Sequence, residues 1–459
     1  MAHSMRDTQS FLGNIAFPPA LPLPGLPASQ ILGLESQGNI TLAVATTGLD
    51  VDPTRPARIV QGDYSAKPFA TIQAAIDALP LLSRTGLTYA APDLTATINV
   101  GAGTFPGFAV FGLNYDLTIA GTRQLATPAT GPNSGTATSG GARSLTLTGA
   151  GWTVNDLRGR FVSVTAGSGA GQILPVMSNT TDTITFASYP TPAFDATSVF
   201  TIEDVATIVN TKPTGRFDYV SIAETSSVYL KDLKAVISGA VAAFGVLDSG
   251  LIFYERCVAV GTGSGYAFIA GQTLSASYGY CFAMDCAVGF QAQVCPLFQS
   301  YFCGVVNCDY PFSGFRGVGW FYVLDCSATG GVSGLYVYGV ADVGIYGLLL
   351  DGCQIGVAGY GSTGECFELA INNTTVRTFT LDNCRITMGG SLVGVGNAGF
   401  GLRLDGGSNV VSLAGFTPTL TGTLGDATVD GVGAVTWAEL ANVGDYAIDE
   451  ATGSRINRR

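Results

Sequence analysis

The side chains best suited to chemistry are carboxylates standing immediately before cysteines. Asp285 and Asp325 precede Cys286 and Cys326, and Arg256, Asn307, Gly352 and Asn383 hold the same slot before other cysteines. Two carboxylates flanking a glycosidic bond can act as general acid and base, about 6.5–9.5 Å apart in inverting enzymes and about 5 Å in retaining ones. If successive repeats stack at about 4.8 Å, Asp285 and Asp325 stand two repeats and roughly 10 Å apart. The membership of the slot points elsewhere. Asp, Asn and Gly are the residues that accept a tight or left-handed turn, with Arg256 as the exception. A turn, a sugar contact and catalysis by Asp285 and Asp325 are the three readings, and the residue types favour the turn.

Aromatic residues supply a second chemistry. Tyr254, Tyr278, Tyr280, Trp320 and Tyr322 belong to a stretch crowded with rings. Sugar rings stack their C–H faces on such side chains, while neighbouring carboxylates and amides bind the hydroxyls. The same residues could instead be internal stacks or a subunit interface. Lyase chemistry needs a basic proton abstractor, and only Lys231, Asp232 and Lys234 cluster, with no acidic trio beside them. The sole histidine is His3, and no CxxC pairing occurs, so neither a metal nor a cofactor is expected.

The element that must position these residues is a short repeating strand. Cys281-x4-Cys286 is followed by Cys303-x4-Cys308, and the frame continues as Ile252 to Cys257, Phe321 to Cys326, Leu348 to Cys353 and Phe379 to Cys384. One apolar strand every 18 to 31 residues, roughly, is the pattern of a stacked solenoid with loops of varying length. Inward-facing cysteines in such a stack act as small buried hydrophobes.

Composition agrees. Charged residues make up 12% of the chain, about half the usual share, and the 62 glycines are a large excess. The net charge of −12 provides no basic stripe for phosphates, which excludes nucleic-acid binding, and it disfavours anionic membranes. No run is long and apolar enough for a transmembrane helix, and no conventional signal peptide is visible, so no membrane insertion is expected. The "GSGAG" at 167–171 lacks the Lys-Ser/Thr of a phosphate loop and reads as a hairpin turn.

Along the chain, residues 1–40 form a Pro-rich arm. Residues 41–122 read as a cap and first coils, with Ile72, Ala75, Ile76 and Leu79 at helical spacing. Residues 123–205 interrupt the repeat with alternating strands of an inserted β-module, a small barrel or sandwich. Main coils occupy 206–404, and 405–459 reads as a C-terminal cap or oligomer contact. The order "PFATIQAAIDAL", "INVGAGTF", "LTIAGT" resembles the N-terminal cap and first coil of the pectate-lyase-like superfamily, to which many bacteriophage tailspikes, fibres and polysaccharide-degrading enzymes belong. The resemblance implies an all-β, right-handed parallel β-helix. It also implies a homotrimeric virion protein, made in the host cytoplasm, attached to other virion proteins through its arm and binding host-surface polysaccharide. A depolymerase on the same scaffold and a purely architectural decoration protein are the alternatives.

Overall fold

The computed structural model describes residues 49–51, 69–77 and, apart from 114–115, 214–217, 226 and 398–399, all of 95–405. It also describes the strands Asn409–Ser412, Thr417–Gly422, Ala427–Val429, Ala434–Trp437, Tyr446–Ile448 and Arg455–Arg458. The 1–40 arm, Ile40–Val44 and Leu79 lie outside the described residues.

Each coil has three sides. Side one is a strand such as Leu251–Glu255, side two a three-residue strand such as Val258–Val260, and side three a strand such as Tyr266–Gly271. Every side pairs in parallel with its equivalent in the next coil, so Leu251–Glu255 lies against Ser275–Gly279 and Val258–Val260 against Phe282–Met284. Among the described residues, twelve strands stack on side three, from Phe108–Phe111 to Tyr446–Ile448. The chain is an all-β parallel solenoid with very little helix.

Stacking equivalent positions produces continuous interior ladders. Phe244, Phe268, Phe290 and Phe312 stack ring on ring at 4.9, 4.7 and 5.5 Å, the rung spacing itself. Tyr254 and Tyr278 stack beside them at 4.9 Å, and Phe298 on Phe321 at 4.6 Å. Each such pair contributes about 0.5–1.5 kcal/mol beyond the burial of its area.

The corners explain the cysteines, and they correct the repeat. Cys281 and Cys286 lie in one coil, after its first corner (side one to two) and its second (side two to three). Phe321 to Cys326 instead runs from side one to the first corner, and Phe379 to Cys384 from side three to the third. The x4 spacing recurs because each side offers the same inward–outward alternation before bending, so one sequence frame had merged three corners. At a corner one residue takes a left-handed conformation and the next points inward. That inward thiol donates to the carbonyl two residues back: Cys281 to Gly279 at 3.4 Å and Cys326 to Leu324 at 3.2 Å. Ser249 and Thr273 do the same at the third corner. Cysteine here is an apolar residue with a weak donor, interchangeable in geometry with Ser and Thr.

Two other parts complete the described structure. Helix Ile72–Asp77 buries Ile72, Ala75 and Ile76, and Gln73 bonds both backbone groups of Ala109 on the first strand of side three, at 2.7 and 3.2 Å. Between Arg123 and Val205 the chain forms an eight-stranded antiparallel sheet with its own core around Trp152, Phe186 and Phe200. That sheet sits on side two, where Phe161 and Met177 pack against Val258, Phe282 and Val306.

Candidate functional site

The carboxylate pair does not assemble. Asp285 occupies a second corner (φ 55°) and Asp325 a first corner (φ 47°). The register Phe282, Gly304, Ser327 places them two rungs and five residues apart, roughly 19 Å, not the 10 Å of a single column. Both are turn residues. Asp285 accepts from Asn307 Nδ2 at 3.0 Å, one rung up its own corner. Asp325 is half-buried beneath the antiparallel sheet, and burial raises its pKa despite the nearby Arg143 guanidinium. At that separation the two carboxylates cannot flank one glycosidic bond.

Tyr254 and Tyr278 are also corrected. They are 1% and 0% exposed, their hydroxyls meet no partner among the described residues, and burial pushes both phenols well above their ordinary pKa. Their alternation in the strand is inward, so they belong to the ladder and no glycan reaches them. The basic cluster separates too: Lys231 faces out on side one, Asp232 turns the corner, and Lys234 on side two pairs with Asp204 at 3.3 Å.

The remaining aromatics divide between two faces, with Tyr310, Tyr336, Tyr338 and Tyr360 clustered on side three. On side one the outward positions alternate with the ladder, so Tyr229, Phe253, Tyr301, Trp320, Tyr322 and Tyr346 all project from the same surface. Trp320 is 53% exposed and Phe253 38%. Glycines make room for rings lying flat: a Cβ on Gly344 would fall inside the Tyr322 ring, and one on Gly279 would meet Tyr301. Polar groups lie between the rings. Tyr322 donates to Asp342 at 3.5 Å, and Tyr346 donates to Glu365 while its ring stacks on Phe367 at 5.5 Å.

A groove of about 450 Å³ opens at the first corner of this face. Asp116, Tyr229, Phe253, Glu255, Tyr280 and Tyr301 line it. Tyr280 has a left-handed backbone (φ 55°), stacks on Phe302 at 4.9 Å and packs against the core of the antiparallel sheet. Beside it, Arg256 (φ 51°) binds Asp232 at 2.8 and 3.2 Å and Glu255, while Arg123 of the antiparallel sheet reaches Asp232 at 3.0 Å. Burial opposes the Arg256 charge, but the carboxylates of Asp232 and Glu255 hold its pKa above the ordinary value.

Of the tyrosines and tryptophan singled out in the sequence, Trp320 and Tyr322 project from side one, and Tyr280 stands at its first corner against the antiparallel sheet. Tyr229 and Phe253 were missed, although a signal existed: in each five-residue strand of side one they stand at odd positions, and the ladder tyrosines at even ones.

No protein-family model and no curated protein matches the sequence. Among solved structures, the chain is similar to the tailspike protein gp49 from Pseudomonas phage LKA1, at 14% identity over 79% of this chain and 72% of that one, with a TM-score of 0.26. It is also similar to the gp54 tailspike of Acinetobacter baumannii bacteriophage AP22, solved in complex with A. baumannii capsular saccharide, at 10% identity over 76% and 68% and a TM-score of 0.22. The tailspike gp61 of Pseudomonas phage phi297 gives 14% identity over 87% and 68%, with a TM-score of 0.22.

Proposed function

We propose that this chain is a phage virion protein of the tailspike or fibre kind that adheres to a host-surface polysaccharide along side one. The observation that carries this reading is the row of outward rings, Tyr229, Phe253, Tyr301, Tyr322 and Trp320, interleaved with Glu255, Gln299 and Asp342 on one rigid sheet. Flat rings at regular rungs suit the apolar faces of consecutive sugars, and the acids and amide suit their hydroxyls. In this reading 1–40 is the attachment arm to other virion proteins, 405–459 closes the far end or joins subunits, and the chain works as a homo-oligomer, trimeric by resemblance. Tyr301→Ala and Tyr322→Ala should each weaken polysaccharide binding about tenfold without lowering the melting temperature. Unchanged affinity in both would remove side one as the binding face.

A second reading has one specific observation in its favour. Asp342 and Glu365 lie one rung and two residues apart on side one, roughly 8 Å between backbones, compatible with the separation of ~6.5–9.5 Å between inverting carboxylates. A depolymerase using them would lose cleavage, but keep binding, in Asp342→Asn and Glu365→Gln. Cleavage that persists in both variants would exclude that pair.

A further inference from the structure

Side one carries Asp116, Glu255, Asp342 and Glu365, so an acidic polymer laid along it meets carboxylates. Side three differs. Its six consecutive strands from Ala242–Leu247 to Ile355–Tyr360 contain no Asp, Glu, Lys or Arg. Carboxylates return at its margins: Asp218 against Gly245 and Asp248 at the lower end, Asp309 before Tyr310, and Asp382 one rung above Tyr360. In a chain of net charge −12, the middle of this face is where an anion meets least repulsion.

The upper half of the face is a shelf of rings. Tyr310 meets Tyr336 edge-on at 5.6 Å, Phe315 lies 5.8 Å from Tyr336, and Tyr360 lies 5.6 Å from Tyr336 and 6.4 Å from Tyr338. Tyr310 stands level with Ser333, so the shelf runs about five residues along the strand to Tyr338, roughly 17 Å. The hydroxyls of Tyr310, Tyr336 and Tyr360 find no protein partner among the described residues. At the third-corner end stands Arg316. Its stem crosses Gly339, where a Cβ would come within 2.7 Å of Arg316 Cγ. Its guanidinium covers the Tyr338 ring at 4.8 Å, and Nη2 donates to the Tyr338 hydroxyl at 2.8 Å. Among the described residues Arg316 forms no ion pair. The contacts with Tyr338 fix the guanidinium beside the rings and leave it further N–H groups, which grip a carboxylate bidentately.

We infer that this shelf is a second carbohydrate site, for a sugar that carries a carboxylate. The apolar face of the sugar stacks on Tyr338 and Tyr360, its hydroxyls meet the phenols, and its carboxylate pairs with Arg316. Charge selects this occupant: an arginine without an acidic partner stands at the edge of a face without carboxylates, in a chain that is acidic elsewhere. An uncharged sugar would leave the guanidinium unused. The site stands apart from the side-one reading, and either holds without the other.

Saturation-transfer NMR of the full chain with oligogalacturonate, a run of carboxylated sugars, tests it. The sugar protons should receive saturation, and reducing the oligomer's carboxyls to alcohols should remove most of it. Arg316→Gln keeps a stem over Gly339 but removes the charge; it and Tyr338→Ala should each weaken binding about tenfold. Combining Tyr301→Ala with Tyr322→Ala should leave this binding unchanged, which separates the shelf from side one. No saturation transfer, equal transfer to the carboxyl-reduced oligomer, or undiminished binding by Arg316→Gln would overturn the site. Binding lost in the Tyr301/Tyr322 variant would place the acidic sugar on side one instead. A change of mass by light scattering in Arg316→Gln or Tyr338→Ala would also overturn it, and make the shelf a contact between copies.

Discussion

Arg256, Tyr280 and Phe302 hold first-corner positions whose left-handed backbone favours glycine or asparagine, at a cost of about 1–2 kcal/mol each. Their side chains account for the choice: Arg256 ties the corner to Asp232 and Glu255, and Tyr280 and Phe302 stack beside the antiparallel sheet. Arg256→Ala should lower stability by about 2 kcal/mol, because charge-assisted bonds to Asp232 are lost while Arg123 still partners it. Chemical denaturation would measure this, and an unchanged midpoint would reduce the network to decoration. Asp325 adds a pH dependence. Burial raises its pKa in the folded chain, so its favourable contribution is complete below the ordinary carboxylate range and is lost as pH rises through the raised value. Asp325→Asn should therefore match the native melting temperature near pH 3 and exceed it increasingly toward pH 7. A gap independent of pH would contradict that. The ten cysteines are all buried, with Cys295 pushed up to about 11 and Cys353 and Cys366 to about 12 by burial. A thiol reagent at pH 8 should find none of them in the native chain and all ten after unfolding.

The proposed function rests on the strand of side one, because its alternation sends one set of rings into the ladder and the other to solvent. Tyr254→Ala should cost about 3–5 kcal/mol in stability, since it removes a ring from the internal ladder. Gly344→Ala should do the opposite kind of damage, lifting the Tyr322 ring off the sheet and weakening glycan binding with little effect on stability. Equal losses of stability in both variants would erase the distinction. Much of this element was legible in the sequence: the solenoid repeat, the inward cysteines and the turn character of the Asp/Asn/Gly slot follow from residue type and spacing, whereas the three strands of each coil had been read as one. What was not legible was which corner each cysteine follows. The same x4 interval runs from Cys281, just after the first corner, to Cys286 after the second, and from Phe321 within side one to Cys326 after the first. Assigning one corner to all of them brought Asp285 and Asp325 together and left Tyr254 and Tyr278 without a direction. Arg256, the exception to the slot, was the informative residue, because a bulky side chain at a left-handed position marks a contact elsewhere in the chain.

At the scale of the molecule, the three sides divide the work. Side two carries the antiparallel sheet through Phe161, Met177 and the Arg123–Asp232 pair. Side one presents rings and carboxylates to solvent, and the side-three strands from Ala242–Leu247 to Ile355–Tyr360 contain no Asp, Glu, Lys or Arg. A stack of parallel rungs keeps these faces in fixed relation along its whole length, since each coil contacts its neighbours and adds to one continuous core. The most direct test of the central claim is size-exclusion chromatography of bacterial surface polysaccharides, run as a panel with and without the purified chain. The account predicts co-elution of protein with at least one polysaccharide, abolished by combining Tyr301→Ala with Tyr322→Ala. Shortened chains would add cleavage and direct attention to Asp342 and Glu365. Binding that survives the double variant, or no co-elution across the panel, would contradict the account.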